Sequence, residues 1–229
     1  MNTVVVACRT LEDELRFAMK KTGIDYPVEW IESGLHNTPE ILAERLQGAL
    51  DSIVAQRVLA VFGFCGNSMR GIKAGGFELI IPRVDDCISL LLGSVKARTE
   101  ISGKHAAYFL TEGWIRGKRS LWAEYQYALE KYGEEQALSL ADMMLHNYRT
   151  LGLLDSGVQP IEPLIEKTKI VADTLGLTQM VIPATVSYLE ELLTGPWVEN
   201  RFLVKAPGET VTAGDLYLHY IFNDFSGNY

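Results

Sequence analysis

Short apolar runs of strand length alternate with helical patterns along this chain of 229 residues, and this alternation limits the possible folds most. The order strand–helix–strand–helix–strand occurs twice, once before and once after about residue 100. Alternation of this kind predicts an α/β fold, with parallel sheets flanked by helices and joined through right-handed crossovers. The predicted strands cover residues 3–7, 28–32, 58–64, 77–82, 106–111, 150–154, 179–183 and 201–206.

The repeated order predicts two Rossmann-like lobes with a cleft between them. The polar stretch 96–104 is the best candidate for the boundary, which gives an N-terminal lobe, 1–100, and a C-terminal lobe, 101–229. The second lobe includes a long helical region, 119–148, with a break expected at Gly133, and an aromatic tail, 215–229, expected to pack against the body. One continuous doubly wound sheet is the alternative.

Charge and hydropathy exclude some classes of partner. The net charge is −8 and Lys and Arg form no dense run, which argues against nucleic acid or an anionic membrane as the main partner. The sequence shows neither a signal-peptide pattern at its start nor an apolar stretch of about 18 residues, so we expect a cytoplasmic protein. In that reducing compartment, three cysteines predict thiols or metal ligands rather than disulfides.

All three cysteines follow an apolar strand or start the helix after one. Cys8 follows the first strand, Cys65 the third, and Cys87 begins the helical run after the fourth. The carboxyl ends of parallel strands lie along one sheet edge, where open α/β folds bind their ligands. We therefore predict that the three thiolates bind a transition metal, zinc first and a [4Fe–4S] cluster second. The alternative is three inert buried thiols, because the sequence has no CxxC spacing.

Three further residues near these corners are candidates for catalysis. His36 follows the second strand and so falls on the same predicted edge, as a fourth ligand or a proton carrier. Arg83 follows the fourth strand and is suited either to a substrate carboxylate or to pairing with an aspartate. Asp86 precedes Cys87 and is suited to acid–base chemistry or to capping the next helix.

Binding of a substrate or cofactor is predicted at two places. Gly66, Asn67 and Ser68 follow Cys65, and their amides could hold a phosphate or carboxylate, although the glycine spacing of a dinucleotide or P-loop motif is absent. Glu112 and Trp114 follow the first strand of the second half and are expected on the opposite wall of the cleft. Tyr148, Arg149 and Asp155 lie at matching strand edges in that half.

Several motifs resemble one prokaryotic family, catalogued as domain of unknown function 1638. They are LHN at 35–37, GFCGN at 63–67, IPR at 81–83, DCI at 86–88, LLGS at 91–94 and YFLTEGW at 108–114. The resemblance spans nearly the whole chain and implies that the family's cysteine and histidine positions fall on Cys8, Cys65, Cys87 and His36. This chain departs from the pattern at Asp85, where the family has a histidine, and at Ser68, where a glycine is usual. It also lacks a tyrosine shortly after Gly-Ser. The family has no established activity, and its frequency in anaerobes with corrinoid methyl-transfer chemistry suggests a corrinoid or methyltransferase partner.

These observations lead to one main hypothesis and two alternatives. The main hypothesis is a metalloprotein with a three-cysteine site at the mouth of a cleft, using zinc in methyl transfer or a related group transfer to a small molecule. A [4Fe–4S] lyase or dehydratase with an open iron is the second. The third is a non-enzymatic accessory protein of corrinoid or one-carbon metabolism that carries a metal or cofactor.

Overall fold

The computed structural model describes residues 2–117 and 121–216. It is an α/β fold whose parallel strands are flanked by helices, as the alternation predicts. The strands are β1 (Thr3–Cys8), β2 (Val28–Ile31), β3 (Arg57–Val61), β4 (Glu78–Pro82), β5 (Ala107–Leu110), β6 (Thr150–Asp155), β7 (Thr178–Pro183) and β8 (Phe202–Lys205). The α-helices are α1 (Glu12–Thr22), α2 (Pro39–Ser52), α3 (Cys87–Leu91), α4 (Val95–His105), α5 (Glu112–Arg116), α6 (Leu121–Tyr132), α7 (Glu134–Leu145), α8 (Glu162–Leu175) and α9 (Ser187–Thr194).

The described strands form two sheets. The first has the order β2-β1-β3-β4-β8, in which β1 to β4 are parallel and β8 pairs antiparallel with β4. The second has the order β5-β6-β7 and is parallel throughout. The predicted last strand therefore exists, but it completes the sheet of the first half.

The apolar core is shared between the two sheets. The largest cluster of buried side chains combines Val5 and Leu59 from the first sheet with Ala107 and Phe109 from the second. Tyr188 and Leu189 of α9 also belong to it, and both are almost fully buried. Packing of this kind joins the two halves, so it does not separate them into lobes. The division at residue 100 stays a prediction.

Helix signals in the sequence identify most of the helices. Acidic residues begin α1 and lysines end it, and Pro39 starts α2. Gly133 separates α6 from α7, at the predicted break. The start of that predicted region, at 119, and the aromatic tail from 217 onward lie outside the described residues.

Two helices differ from the sequence-based prediction. Residues 96–104, predicted to be a polar boundary, belong to α4, which Ser94 caps by accepting a hydrogen bond from the amide of Ala97. The helix α5 follows β5 directly and is capped by Thr111. No helix in the described ranges combines the length and the hydropathy that a membrane span requires.

Candidate functional site at the strand ends

The loop after β3 is held directly against the loop after β4. The amides of Phe64 and Cys65 donate hydrogen bonds of 2.8 Å to the carbonyl oxygens of Val84 and Asp85. Gly63 also packs on the main chain of Asp86, where a Cβ would lie 2.5 Å from the Asp86 Cα. This contact brings the segment that carries Cys65 next to the start of α3, which carries Cys87.

Cys65 has a left-handed backbone conformation, with a φ of 41°. Residues other than glycine, asparagine and aspartate rarely adopt this conformation, because for them the left-handed backbone costs about 1–2 kcal/mol. Strain of this kind is held in place by the surrounding contacts and is concentrated at functional sites. Here the contacts with Val84 and Asp85 hold the segment that bears the thiol.

Cys65 and Cys87 are buried, Cys8 is partly buried, and the three thiols lie within electrostatic range of one another. Burial is the main cause that raises the pKa of each of Cys8, Cys65 and Cys87. A charge on Cys8 raises the pKa of both Cys65 and Cys87 further, and a charge on Cys65 raises that of Cys87. Cys8 is also held by a hydrogen bond of 3.2 Å from its Sγ to the Oγ1 of Thr10. Without a nearby positive charge, these groups stay protonated thiols at neutral pH.

The thiols do not form a ready metal cage. In the part of the chain that the structure describes, no three side chains of His, Cys, Asp or Glu are arranged as they stand to hold a metal ion. The cysteines are free, with no disulfide between them.

A cleft of about 680 Å³ opens beside Cys65 and Cys87. This volume lies within the range of small-molecule sites, about 300–1,000 Å³. One wall comes from the first half and includes His36 and Gly66, and the other comes from the second half and includes Tyr108, Trp114 and Tyr148. The remaining lining residues are Asp85, Asp86, Ile88, Arg98, Ser102, Ala106, Ala107, Phe109 and Asn147.

His36 and Trp114 meet across the cleft, with ring centroids 6.4 Å apart in an edge-to-face arrangement. Burial lowers the pKa of His36, against the opposing effect of Asp86. The imidazole is therefore neutral at pH 7, so it can accept a proton or bind a metal.

Asp86 has a structural role in addition to its place on the cleft. Its Oδ1 accepts a hydrogen bond of 3.0 Å from the amide of Ser89 and so caps α3. Its Oδ2 lies 2.9 Å from the Nε of Arg98. Burial nevertheless raises the pKa of Asp86, and the charge of Asp85 adds to this effect.

The other predicted site residues have different surroundings. Arg83 is buried outside the cleft lining and donates to the carbonyl oxygens of Glu199 and Asp215, at 2.7 and 2.9 Å. Ser68 is buried and donates to the carbonyl oxygen of Phe64, whereas Asn67 has a φ of 71°, and neither lines the cleft. Glu112 forms an ion pair with Lys167 and lines a second cavity.

Arg98 and Tyr108 are among the cleft residues that the sequence does not predict. Arg98 lies in α4, where the sequence predicts a polar boundary, and Tyr108 lies within β5 rather than at its end. The caps at Ser94 and Thr111 are the signals that would have placed a helix on each side of Tyr108.

The second half reaches the cysteines through α5. A Cβ on Gly113 would lie 2.0 Å from the carbonyl oxygen of Thr10, so α5 packs directly on the turn after Cys8. This contact places Trp114 opposite His36.

Comparison with known proteins identifies a family. The model of a family described as "Protein of unknown function (DUF1638)" matches residues 30–193. No curated protein and no solved structure matches the chain.

Proposed function

Because the chain belongs to the DUF1638 family, a family of unknown function, its activity has to be argued from its site, and we propose a metal-dependent group transferase. In this proposal Cys8, Cys65 and Cys87 bind a transition metal as thiolates, zinc first, next to the 680 Å³ cleft, which Cys65 and Cys87 line and Cys8 does not. The cleft takes a small-molecule substrate, to or from which a methyl or related group is transferred.

The convergence of the three thiols is the observation that carries the proposal. They come from β1, from the loop after β3 and from α3. They lie close enough that the charge of one thiolate raises the pKa of a neighbouring thiol. A thiolate is the form that binds zinc, and a divalent cation supplies the positive charge that buried thiolates need.

The donor set fits a soft metal in its chemistry, and binding requires rotation of the side chains. In this proposal each cysteine turns about its single χ1 torsion to bring its sulfur to the metal. Three thiolates leave one position of a tetrahedral zinc for a further ligand, as in catalytic zinc sites. When bound there, zinc would supply Lewis acidity that lowers the pKa of a substrate thiol.

The protein's own residues account for the other parts of group transfer. Neutral His36 lines the cleft and would take the proton that a substrate thiol loses. Trp114, Tyr108 and Tyr148 provide an aromatic wall that excludes water from the substrate. The guanidinium of Arg98 pairs with two acids at the edge of the cleft. Its Nη1 lies 3.7 Å from the Oδ2 of Asp85, and its Nε lies 2.9 Å from the Oδ2 of Asp86. These ion pairs fix the positions of both carboxylates.

Anaerobic purification followed by elemental analysis tests the metal site. We expect one metal ion per chain in the wild type, and loss of metal or at least tenfold weaker binding in each of the Cys8→Ser, Cys65→Ser and Cys87→Ser variants. Ser102→Ala is the matched control, because Ser102 lines the cleft without being a thiol. A metal content that survives the loss of any two cysteines, or a wild type that binds no metal in a competitive zinc titration, contradicts the proposal.

Spectra and turnover assays distinguish a zinc group transferase from a [4Fe–4S] lyase and from a metal carrier. A colourless protein with zinc supports the thiolate site proposed here, whereas a brown anaerobic protein with four irons supports a [4Fe–4S] lyase. Zinc-loaded protein is then incubated with thiol acceptors and methyl donors. Zinc that passes to another protein, without turnover of any small molecule, would indicate a carrier.

A further inference from the structure

A second cavity, of about 100 Å³, lies at the carboxyl end of β6. The start of α1, the start of α5 and the loop between β6 and α8 enclose it. It shares no lining residue with the 680 Å³ cleft. The helix α5 contributes Glu112 to this cavity and Trp114 to the cleft, so the two spaces lie at different faces of one short helix.

The cavity is lined by an excess of negative charge. Four carboxyl groups line it, and Lys167 is the cationic side chain among its described lining residues. The lining carboxylates are Asp13, Glu14, Glu112 and Asp155.

Two of the four carboxylates already have cationic partners. Lys167 pairs with Glu112, and Arg116 pairs with Asp13 at 2.7 Å. Gln159 donates a further hydrogen bond of 3.0 Å to Asp13. The Oδ1 of Asp155 accepts from the amide of Gly157 at 3.0 Å. Glu14 and Asp155 are therefore the lining carboxylates that form no ion pair with a described residue.

Glu14 has an oxygen that needs a hydrogen-bond donor. The side chain is buried, with the residue only 5% exposed, and its Oε2 has no hydrogen-bond partner among the residues that the structure describes. A buried polar atom without a partner is rare in folded proteins and requires an explanation such as a bound ion, ligand or water. Burial first, and then the charge of Asp13, raise the pKa of Glu14 to about 7, while hydrogen bonds from its own main chain and from Ser156 and the charge of Arg116 oppose this effect.

We propose that this cavity binds a small primary ammonium group, which donates hydrogen bonds to Glu14 and Asp155. When Glu14 is ionised its missing partner is a donor, and the uncompensated charge of the lining favours a cation. A divalent metal ion fits less well, because Asp13 and Glu112 are engaged in ion pairs and leave two free carboxylates.

The size of the cavity limits the ligand. A volume of 100 Å³ corresponds to about three water molecules at about 30 Å³ each, which suffices for an ammonium group with one or two carbons. The group is therefore either free ammonium or the amine end of a longer molecule that extends out of the cavity. This proposal does not rest on the metal site.

Calorimetric titration of the full chain with methylammonium chloride tests the proposed ammonium site. The titration is done at pH 8 with a chelator present and the ionic strength held constant. We expect saturable binding of one methylammonium per chain, weakened at least tenfold by Glu14→Gln. The matched control is Glu12→Gln, which makes the same change in charge on the same helix but outside the cavity. Asp155→Asn is the second variant, because its amide oxygen can still accept from Gly157.

Titrations with other cations distinguish free ammonium from the end of a longer amine, and both from a cation that has no N–H group. Ammonium chloride that binds as well as methylammonium indicates the free ion, and tighter binding of n-butylammonium indicates the end of a longer amine. Tetramethylammonium has no N–H and is expected not to bind. Equal binding of tetramethylammonium, or no saturable binding in the wild type, overturns the proposal and leaves ordered water as the partner of Glu14. Wild-type affinity in Glu14→Gln, or in Asp155→Asn if Glu14→Gln does not fold, overturns it as well.

Discussion

Gly63 lies against the main chain of Asp86 so closely that a Cβ would come within 2.6 Å of its N, Cα and C atoms. The loop that carries Cys65 and the start of α3, which carries Cys87, therefore meet only because residue 63 has no side chain. Main-chain atoms cannot rotate away as a flexible side chain can. Any larger residue at position 63 must therefore push the loop after β3 away from the start of α3.

The first prediction concerns this contact. Gly63→Ala should lower the free energy of unfolding by about 1–3 kcal/mol, as overpacking of a close contact does. It should also weaken metal binding, because Cys65 and Cys87 move apart. Urea unfolding and zinc titration measure the two effects. Gly48→Ala is the control, because a Cβ there meets nothing within 4 Å inside α2, and it should be neutral or stabilising by about 1 kcal/mol. A Gly63→Ala protein as stable as the wild type would contradict the close contact.

The second prediction concerns the backbone of Cys65. With a φ of 41°, this position favours glycine over alanine, so Cys65→Gly should be more stable than Cys65→Ala by about 1 kcal/mol. Cys87 provides the opposite case, because it lies in α3, where glycine should be less stable than alanine by about 0.5–1 kcal/mol. Denaturant unfolding of the four metal-free variants measures both differences. An alanine variant more stable than the glycine variant at both positions would show that Cys65 is not strained.

The third prediction separates the two roles of Asp86. Asp86→Ala removes the cap of α3 and one partner of Arg98, and should cost about 1–2 kcal/mol of stability. Asp86→Asn keeps an oxygen that can accept from Ser89 and should cost less, while it removes the charge at the cleft. Comparison of unfolding free energies with group-transfer rates distinguishes the cap from a proton-carrying role. Equal losses of stability in both variants would argue against the capping bond.

The fourth prediction concerns the pH dependence of stability. The pKa of Glu14 rises from its ordinary value of 4.5 to about 7 on folding. The folded chain therefore holds a proton more tightly than the unfolded chain. Its contribution to stability is complete below pH 4.5 and is lost as the pH rises through 7, by about 3 kcal/mol in total.

Glu14→Gln should remove this part of the pH dependence and should be more stable than the wild type at pH 8. Denaturant unfolding between pH 5 and pH 8 measures the slope. Glu12→Gln should leave the slope in this interval unchanged, because the hydrogen bond from Arg16 lowers the pKa of Glu12. An unchanged slope in Glu14→Gln would mean that the carboxyl group is not buried as described.

The sequence predicts the positions of the cysteines better than it predicts the cleft. Cys8 and Cys65 follow strands of one parallel sheet and Cys87 begins the helix after a third, so topology alone brings them to one edge. Arg98 could not be placed in the same way. Its helix, α4, buries only Val95 among its described side chains and lacks the apolar stripe that identifies most helices.

Glu14 and β8 depend on long-range contacts that local patterns do not contain. A glutamate in the first turn of α1 is usually solvated, and its burial arises from Ser156 and other residues more than 100 positions away. The apolar run of β8 identifies a strand but not its partner, and its antiparallel pairing with β4 follows from packing of the whole chain.

The pairing of β8 with β4 has a consequence for the order in which the protein can mature. During synthesis, the edge of β4 stays open until some 120 further residues have left the ribosome, because Leu203 and Val204 supply the strand that covers it. An uncovered strand edge invites pairing with other chains. A fragment that stops after the last thiol would carry all three cysteines and yet leave this edge bare, so we expect it to aggregate rather than to form the site on its own.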